Sequence, residues 1–136
     1  MGTSIRPELA KSNKYWIDRH RYYELKHFCL QYHTWVKALN SVDGFSKRPD
    51  LWIFNSDVGD PTARAAIARE YYSDRVKMIH DCIEKTDPVI GEYIFQAVTT
   101  GCSYEVIKSR LDIPCCKDVY YEYYRKFFWI LNCTRK

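Results

Sequence analysis

The sequence predicts an all-α fold, a compact helical bundle with a C-terminal helix-turn-helix, and three observations support this class. Apolar residues recur at three- and four-residue steps along most of the chain, which is the periodicity of helices that pack by one face. Asp60-Pro61 and Asp87-Pro88 each provide a helix N-cap followed by a proline at the first helical position, where its missing N–H costs nothing. Strand patterns are weak, and only residues 51–54, the sequence LWIF, resemble one.

Length and composition are those of a single compact domain. The 136 residues are 46% hydrophobic and 16% aromatic, which is enough apolar surface for a folded core. The 12 tyrosines favour a helical core with hydrated edges or an adhesive binding face, because a tyrosine buries its ring and keeps one polar atom. Within one domain, we expect residues 1–60 to contain N-terminal helices and an irregular aromatic loop. Residues 61–136 should contain a helical core with the helix-turn-helix.

In the N-terminal half, helical periodicity covers residues 15–31 and then the short stretch 34–39. No glycine or proline separates the two stretches, so a single bent helix is the alternative. Residues 40–60 contain glycine, proline and short polar residues, which interrupt helices. Because the same stretch also contains Phe45 and the LWIF sequence, we expect a loop whose aromatic residues pack on the helices. A segment that becomes ordered only on binding is the alternative.

The C-terminal half predicts four helices. They cover residues 61–86, 89–100, 104–111 and about 116–133. The buried stripe predicted for the longest helix consists of Ala63, Ile67, Val76, Ile79 and Ile83. Gly101 stands where a left-handed helix C-cap is expected, and Ser103 can cap the helix that follows. Residues 112–114 supply the next turn, and the last helix begins at Cys115 or Cys116.

Charge, cysteine usage and the N-terminus narrow the function classes. The formal net charge of +4 is modest, and Lys and Arg are mixed with Asp and Glu along the chain. This charge is compatible with a nucleic-acid partner but does not require one. The first residues contain no apolar signal-peptide run, and no stretch approaches the roughly 20 apolar residues of a membrane helix. We therefore expect a cytoplasmic protein with reduced cysteines and no membrane partner.

Neither a cofactor, nor a metal site, nor an enzyme is expected. Cys29 and His33 are four residues apart, which is a workable zinc half-site on a helix, but the sequence contains no Cys-x-x-Cys pair. Buried thiols that act as small apolar side chains explain the six cysteines better. The sequence also lacks a glycine-rich phosphate loop, a nucleophile elbow and a paired-carboxylate pattern.

Between Gly101 and Ile113, the spacing of apolar residues is that of two helices that cross over a turn. Five residues carry the pattern: Gly101, Ser103, Ile107, Leu111 and Ile113. This pattern resembles the helix-turn-helix of sigma-70 region 4 and of phage late-gene transcriptional regulators of the ArpU and RinA type. The resemblance covers the C-terminal third of the chain, about residues 87–131. Where that family has Ser or Thr after the turn, this chain has Pro114.

The resemblance implies a phage-derived, DNA-binding regulator of transcription whose last helix enters the major groove of double-stranded DNA. Lys117, Tyr121 and Arg125 would contact the DNA, and Lys108 and Arg110 would contact its backbone. The N-terminal helices would then mediate dimerisation, giving a homodimer, or would contact RNA polymerase or another host protein.

Other interpretations of the same residues stay open. The C-terminal helices also fit a three-helix core that contacts no DNA, with its tyrosines divided between the core and hydrated edges. The N-terminal basic residues form either a solvated helix face or a set of phosphate contacts, and they are Lys11, Lys14, Arg19, Arg21 and Lys26. The alternative function is a non-enzymatic, phage-encoded inhibitor or adaptor that binds a host protein, for example an anti-CRISPR protein. A tyrosine-rich surface of modest charge favours that alternative.

Overall fold

The computed structural model describes residues 13–43 and 61–135, and across these residues the chain forms helices without any strand, so the all-α prediction is confirmed. The helices are α1 (Arg19–Cys29), α2 (Tyr32–Asp43), α3 (Pro61–Thr86), α4 (Gly91–Thr100), α5 (Tyr104–Arg110) and α6 (Lys117–Thr134). The aromatic loop predicted for residues 40–60 and the cap predicted at Asp60 lie outside the described residues, apart from the end of α2. None of the six helices in these ranges combines the length and the apolarity that a bilayer crossing requires.

The described residues divide into two compact units. The first contains residues 13–31 and 78–135, and the second contains residues 32–43 and 61–77. Because α3 crosses this boundary, its first 17 residues belong to the second unit and its last nine belong to the first. The division at residue 60 that the sequence suggests stays a prediction.

A bundle of α1, α4 and α6 forms the core of the first unit, with α5 packed on α4. Its most deeply buried side chains are Leu25, Cys29, Ile79, Ile94, Phe127, Phe128 and Leu131. Aromatic and polar contacts join α1 to α6. The Tyr22 ring meets Phe128 edge-on at 5.1 Å between centroids, and the Tyr22 and Tyr124 hydroxyls are 3.0 Å apart. Arg21 donates from Nε to Asn132 Oδ1 at 2.7 Å, so the two helices are tied at several points along their lengths.

The N-terminal helix is shorter than its periodicity predicts. Asp18 caps α1, since its carboxylate accepts a hydrogen bond from the His20 N–H at 3.1 Å, and the preceding aromatic residues lie outside the helix. The helix ends at Cys29, and α2 begins three residues later at Tyr32, so the sequence forms two helices rather than one. The second helix extends to Asp43, four residues beyond the predicted stretch 34–39.

In the second unit, small residues form the contact between α2 and the first half of α3. Ala65 and Ala68 are buried, and Ala38 and Tyr72 pack against them. The buried stripe predicted to begin at Ala63 and Ile67 is therefore wrong for this half of the helix, where Ile67 is 58% exposed. The buried alanines lie on the side of α3 that meets Ala38, and Ile67 lies on another side.

Asp87 and Gly91 set the start of α4. The Asp87 carboxylate accepts hydrogen bonds from the Val89 and Ile90 N–H groups at 2.9 and 2.8 Å, and residues 88–90 form a turn before the helix. These hydrogen bonds lower the pKa of Asp87 below its ordinary value, and the one from Ile90 has the largest effect. At Gly91, an added Cβ would lie 2.9 Å from the Ile83 carbonyl oxygen, so only glycine allows this close approach of α4 to α3.

Candidate nucleic-acid interface

Residues 103–122, hereafter the C-terminal motif, comprise α5, the connection after it and the start of α6. The short helix α5 is specified by its cap, because Ser103 Oγ accepts a hydrogen bond from the Val106 N–H at 3.4 Å. Gly101 ends the preceding helix with a φ of 78°, the left-handed conformation that glycine adopts without strain. Ile107 is buried and anchors α5, as the sequence pattern predicts.

The connection between α5 and α6 is longer than expected. It contains six residues, 111–116, where the sequence suggests a turn of three. Pro114 explains the difference, because proline lacks an N–H and holds the residue before it out of the helical region. Ile113 is buried, and the Tyr104 hydroxyl donates to the Cys115 carbonyl oxygen at 3.3 Å. The connection is thus attached to the body of the unit at two points.

A group of four tyrosines fills the space under the connection. Its members are Tyr104, Tyr120, Tyr121 and Tyr124, with ring centroids 4.9 to 6.4 Å apart. The hydroxyl of Tyr120 is buried and has no hydrogen-bond partner among the described residues, and burial raises the pKa of that phenol. Tyr121, which the sequence assigns to DNA contact, is only 8% exposed. Its ring faces its neighbours, so only an edge is left for a ligand.

Two of the predicted DNA-contacting cations are paired with carboxylates. Lys117 donates to Glu105 Oε2 at 2.6 Å, and this contact raises the pKa of Lys117 and lowers that of Glu105. Arg125 lies 3.5 Å from Glu122, one turn earlier on α6. The first pair reduces the positive charge that the motif presents, and Arg125 lies three residues beyond the end of the motif.

The two cations predicted to contact the backbone are placed differently. Lys108 and Arg110 are exposed in the last turn of α5. The Lys108 ammonium lies 5.8 Å from the centroid of the Tyr104 ring, so its aliphatic stem covers part of the aromatic group. These two side chains are therefore exposed, as Lys117 is, whereas Tyr121 is buried and Arg125 is partly exposed.

Three aliphatic residues of the motif are exposed. They are Val106, Leu111 and Val119, with exposed fractions of 36%, 39% and 43%. Leu111 was expected in the crossing of the two helices, but its extended backbone turns it outward.

The motif as a whole offers cations, carboxylates and apolar side chains together. It contains three Lys or Arg residues and four Asp or Glu residues, and its charge is therefore slightly negative. Within the described ranges, no three His, Cys, Asp or Glu side chains are grouped to hold a metal ion. What the surface can do is bind, through hydrogen bonds, charge and a small apolar area.

Comparison with known proteins adds no relative to this description. No protein-family model, curated protein or solved structure matches the chain. Function is therefore argued from the motif and its surroundings.

Proposed function

We propose that the chain is a DNA-binding regulator of transcription, of the phage late-gene type, that reads double-stranded DNA with the C-terminal motif. The observation that carries this proposal is the exposure of the first turn of α6 on a firmly anchored base. Residues 116–119 are all exposed, while Tyr120 directly after them is buried, and Ile107 and Ile113 hold the elements on either side.

This arrangement matches what a recognition helix requires. The major groove is about 12 Å wide and accepts one helix, whose N-terminal residues contact the base edges. The 18 residues of α6 span about 27 Å, and the exposed turn is at the N-terminal end. Lys117 would face the bases or the nearest phosphates, while Lys108 and Arg110 at the end of α5 would contact the backbone.

Lys117 must give up its pairing with Glu105 when it binds DNA. A phosphate or a base acceptor would replace the carboxylate as the partner of the ammonium group. The exchange is inexpensive because both side chains are exposed to water, where such pairs contribute little. Glu105 nevertheless repels the incoming phosphates, so we expect this residue to weaken DNA binding.

The test is a salt titration of the full-length protein on a labelled duplex of about 30 base pairs, three turns of DNA. Replacing Lys108→Gln and Arg110→Gln together should weaken binding about tenfold and reduce the slope of log K against log salt by about 1.8. A matched control is Lys37→Gln with Lys85→Gln, which removes the same charge from exposed positions outside the motif.

A second variant tests the opposite direction. Glu105→Gln should strengthen binding about threefold, because it releases Lys117 and removes a repulsive charge. Glu84→Gln, a charge-matched change at another exposed glutamate, is its control. If the wild-type protein binds the duplex and neither motif variant differs from its control, the motif does not contact DNA and the proposal is wrong.

The exposed Val106, Leu111 and Val119 favour a second candidate, an adaptor or inhibitor that binds a host protein through the same motif. RNA polymerase is the partner to examine first, since a transcription regulator also contacts it. Under this second proposal, purified polymerase binds the wild-type chain without DNA, and Leu111→Asp with Val119→Asp abolishes binding. Retention of polymerase binding by that variant would reject the motif as the protein-binding surface.

A further inference from the structure

The N-terminal end of α6 presents a carboxylate on the side of the helix that faces away from the core. Tyr120 and Tyr121 are buried against the body of the unit. Asp118 and Glu122, four residues apart, share a different face of the helix, on which Asp118 is exposed and Glu122 is partly exposed. Asp118 thus belongs to the exposed first turn of α6, the part of a recognition helix that meets the base edges.

Asp118 differs from the other two carboxylates of α5 and α6 in having no partner. Glu105 is paired with Lys117 at 2.6 Å, and Glu122 lies 3.5 Å from Arg125. Within residues 13–43 and 61–135, no hydrogen bond or ion pair engages the Asp118 side chain. Both of its oxygens are therefore available as hydrogen-bond acceptors.

A group that only accepts hydrogen bonds discriminates among the bases in the major groove. Cytosine presents its N4 amino group there, which is a donor without an acceptor beside it on the same base. Adenine presents its N6 amino group beside N7, an acceptor that repels a carboxylate, and guanine and thymine present acceptors. A carboxylate at the base edges therefore binds cytosine best.

We propose that Asp118 makes the C-terminal motif specific for cytosine, by accepting a hydrogen bond from the N4 amino group of one cytosine in the target site. This inference rests on the proposed function, and it names the base that the exposed turn reads. It also gives the negative charge of the motif a use. Where no cytosine is present, the carboxylate stays unpaired beside the phosphates, so it weakens binding to other sequences and increases specificity.

A purely structural role for Asp118 makes a different prediction. A carboxylate in the first turn of a helix also stabilises the helix dipole. In that case Asp118→Asn lowers the melting temperature and leaves the choice of base unchanged. Thermal unfolding and base preference are therefore both measured on each variant.

The deciding experiment selects binding sites from duplexes with about 20 randomised base pairs, two turns of DNA, using the full-length wild type and Asp118→Asn. We expect one position at which the wild type selects cytosine and the variant selects adenine. The reason is that an Asn amide accepts from N6 of adenine and donates to N7. On two duplexes that differ only at that position, the wild type should prefer cytosine about tenfold, and the variant should reverse the preference.

Asp112→Asn and Glu122→Gln are the charge-matched controls, at an exposed aspartate in the connection before α6 and at the paired glutamate of the same face. Both variants should select the same site as the wild type. A change of base with Glu122→Gln and none with Asp118→Asn would assign the reading to Glu122 and overturn the inference.

The outcomes separate this inference from the function on which it rests. If the wild type and Asp118→Asn select the same bases, or if neither selects any base, the cytosine contact is rejected. Weaker binding by the Lys108/Arg110 variant than by its control then keeps the motif as the DNA surface. A wild-type chain that binds no duplex at low salt overturns both proposals.

Discussion

The α1 segment and the C-terminal motif differ in how they combine shape and charge. Residues 13–31 contain four Lys or Arg and two Asp or Glu, and both carboxylates have local partners. Residues 103–122 contain three Lys or Arg and four Asp or Glu, and Lys117 is paired within the motif. The part of the molecule with an exposed helix end thus has little positive charge, and the positive charge lies on a neighbouring helix.

DNA binding requires an exposed helix end and an attraction to phosphate, and the difference teaches that one element need not provide both. An exposed helix end depends on a few buried anchors, here Ile107, Ile113 and Tyr120. Attraction to phosphate depends on the summed field of many charges, and any surface of the same rigid unit can provide it.

The largest expected effect on the contact between α1 and α6 is that of replacing Phe128. Its ring is fully buried on α6 and contacts Tyr22 of α1 edge-on at 5.1 Å. Phe128→Ala should lower the free energy of unfolding by about 3–5 kcal/mol, because it removes a large buried ring and leaves a cavity between the two surfaces. Urea denaturation followed by far-UV circular dichroism measures the change.

The neighbouring Trp129 is the control for that measurement. It is 38% exposed, and its ring centroid lies 5.8 Å from that of the partly buried Tyr15. Trp129→Ala should therefore cost about 1 kcal/mol or less. Equal losses for the two variants would show that α1 and α6 are not held together through Phe128.

Two tyrosine hydroxyls sharpen the comparison, because one connects α6 to α1 and the other lies within the motif. Tyr124→Phe should lower the free energy of unfolding by about 1 kcal/mol, since it removes the hydrogen bond to the Tyr22 hydroxyl. Tyr120→Phe should raise it by about 1 kcal/mol, because it removes a buried hydroxyl that has no partner among the described residues. Chemical denaturation of both variants compares them directly, and a loss of stability in Tyr120→Phe would show that this hydroxyl is hydrogen-bonded.

The smallest expected effect concerns Asp87, which supports the turn before α4. Asp87→Ala should lower the free energy of unfolding by about 1 kcal/mol near neutral pH through loss of its two hydrogen bonds to backbone N–H groups. Because the folded-state pKa lies below its ordinary value of 3.8, the carboxylate stabilises the fold above that pH, and its contribution disappears as the pH falls further. The two stability curves should therefore converge in acid.

Asp112→Ala, at an exposed aspartate in the connection after α5, is the charge-matched control. It should change the free energy of unfolding near neutral pH by no more than about 0.5 kcal/mol. A wild-type protein and an Asp87→Ala variant that differ by the same amount at every pH would show that the carboxylate charge contributes nothing at this position.

Much of the local structure was predictable because its causes lie within a few residues. The start of α3 at Pro61, the cap at Ser103 and the left-handed Gly101 all follow from backbone chemistry that a short sequence specifies. The length of α3 follows as well, since no proline or glycine interrupts it. The five predicted site residues, by contrast, were chosen by spacing alone, and spacing does not say which side chains are covered.

Side-chain burial and pairing in the motif depended on contacts between distant parts of the chain. Tyr121 is buried because Tyr104, 17 positions earlier, lies across its ring, and Lys117 is paired because Glu105 begins a different helix. In the same way, α3 buries Ala65 and Ala68 rather than Ile67 because Ala38 of α2 packs on that side. Sequence patterns thus determined the class of fold and the ends of its helices through local propensity and capping. Tertiary packing decided which faces remain available for binding, because exposure and charge neutralisation depend on residues that only the fold brings together.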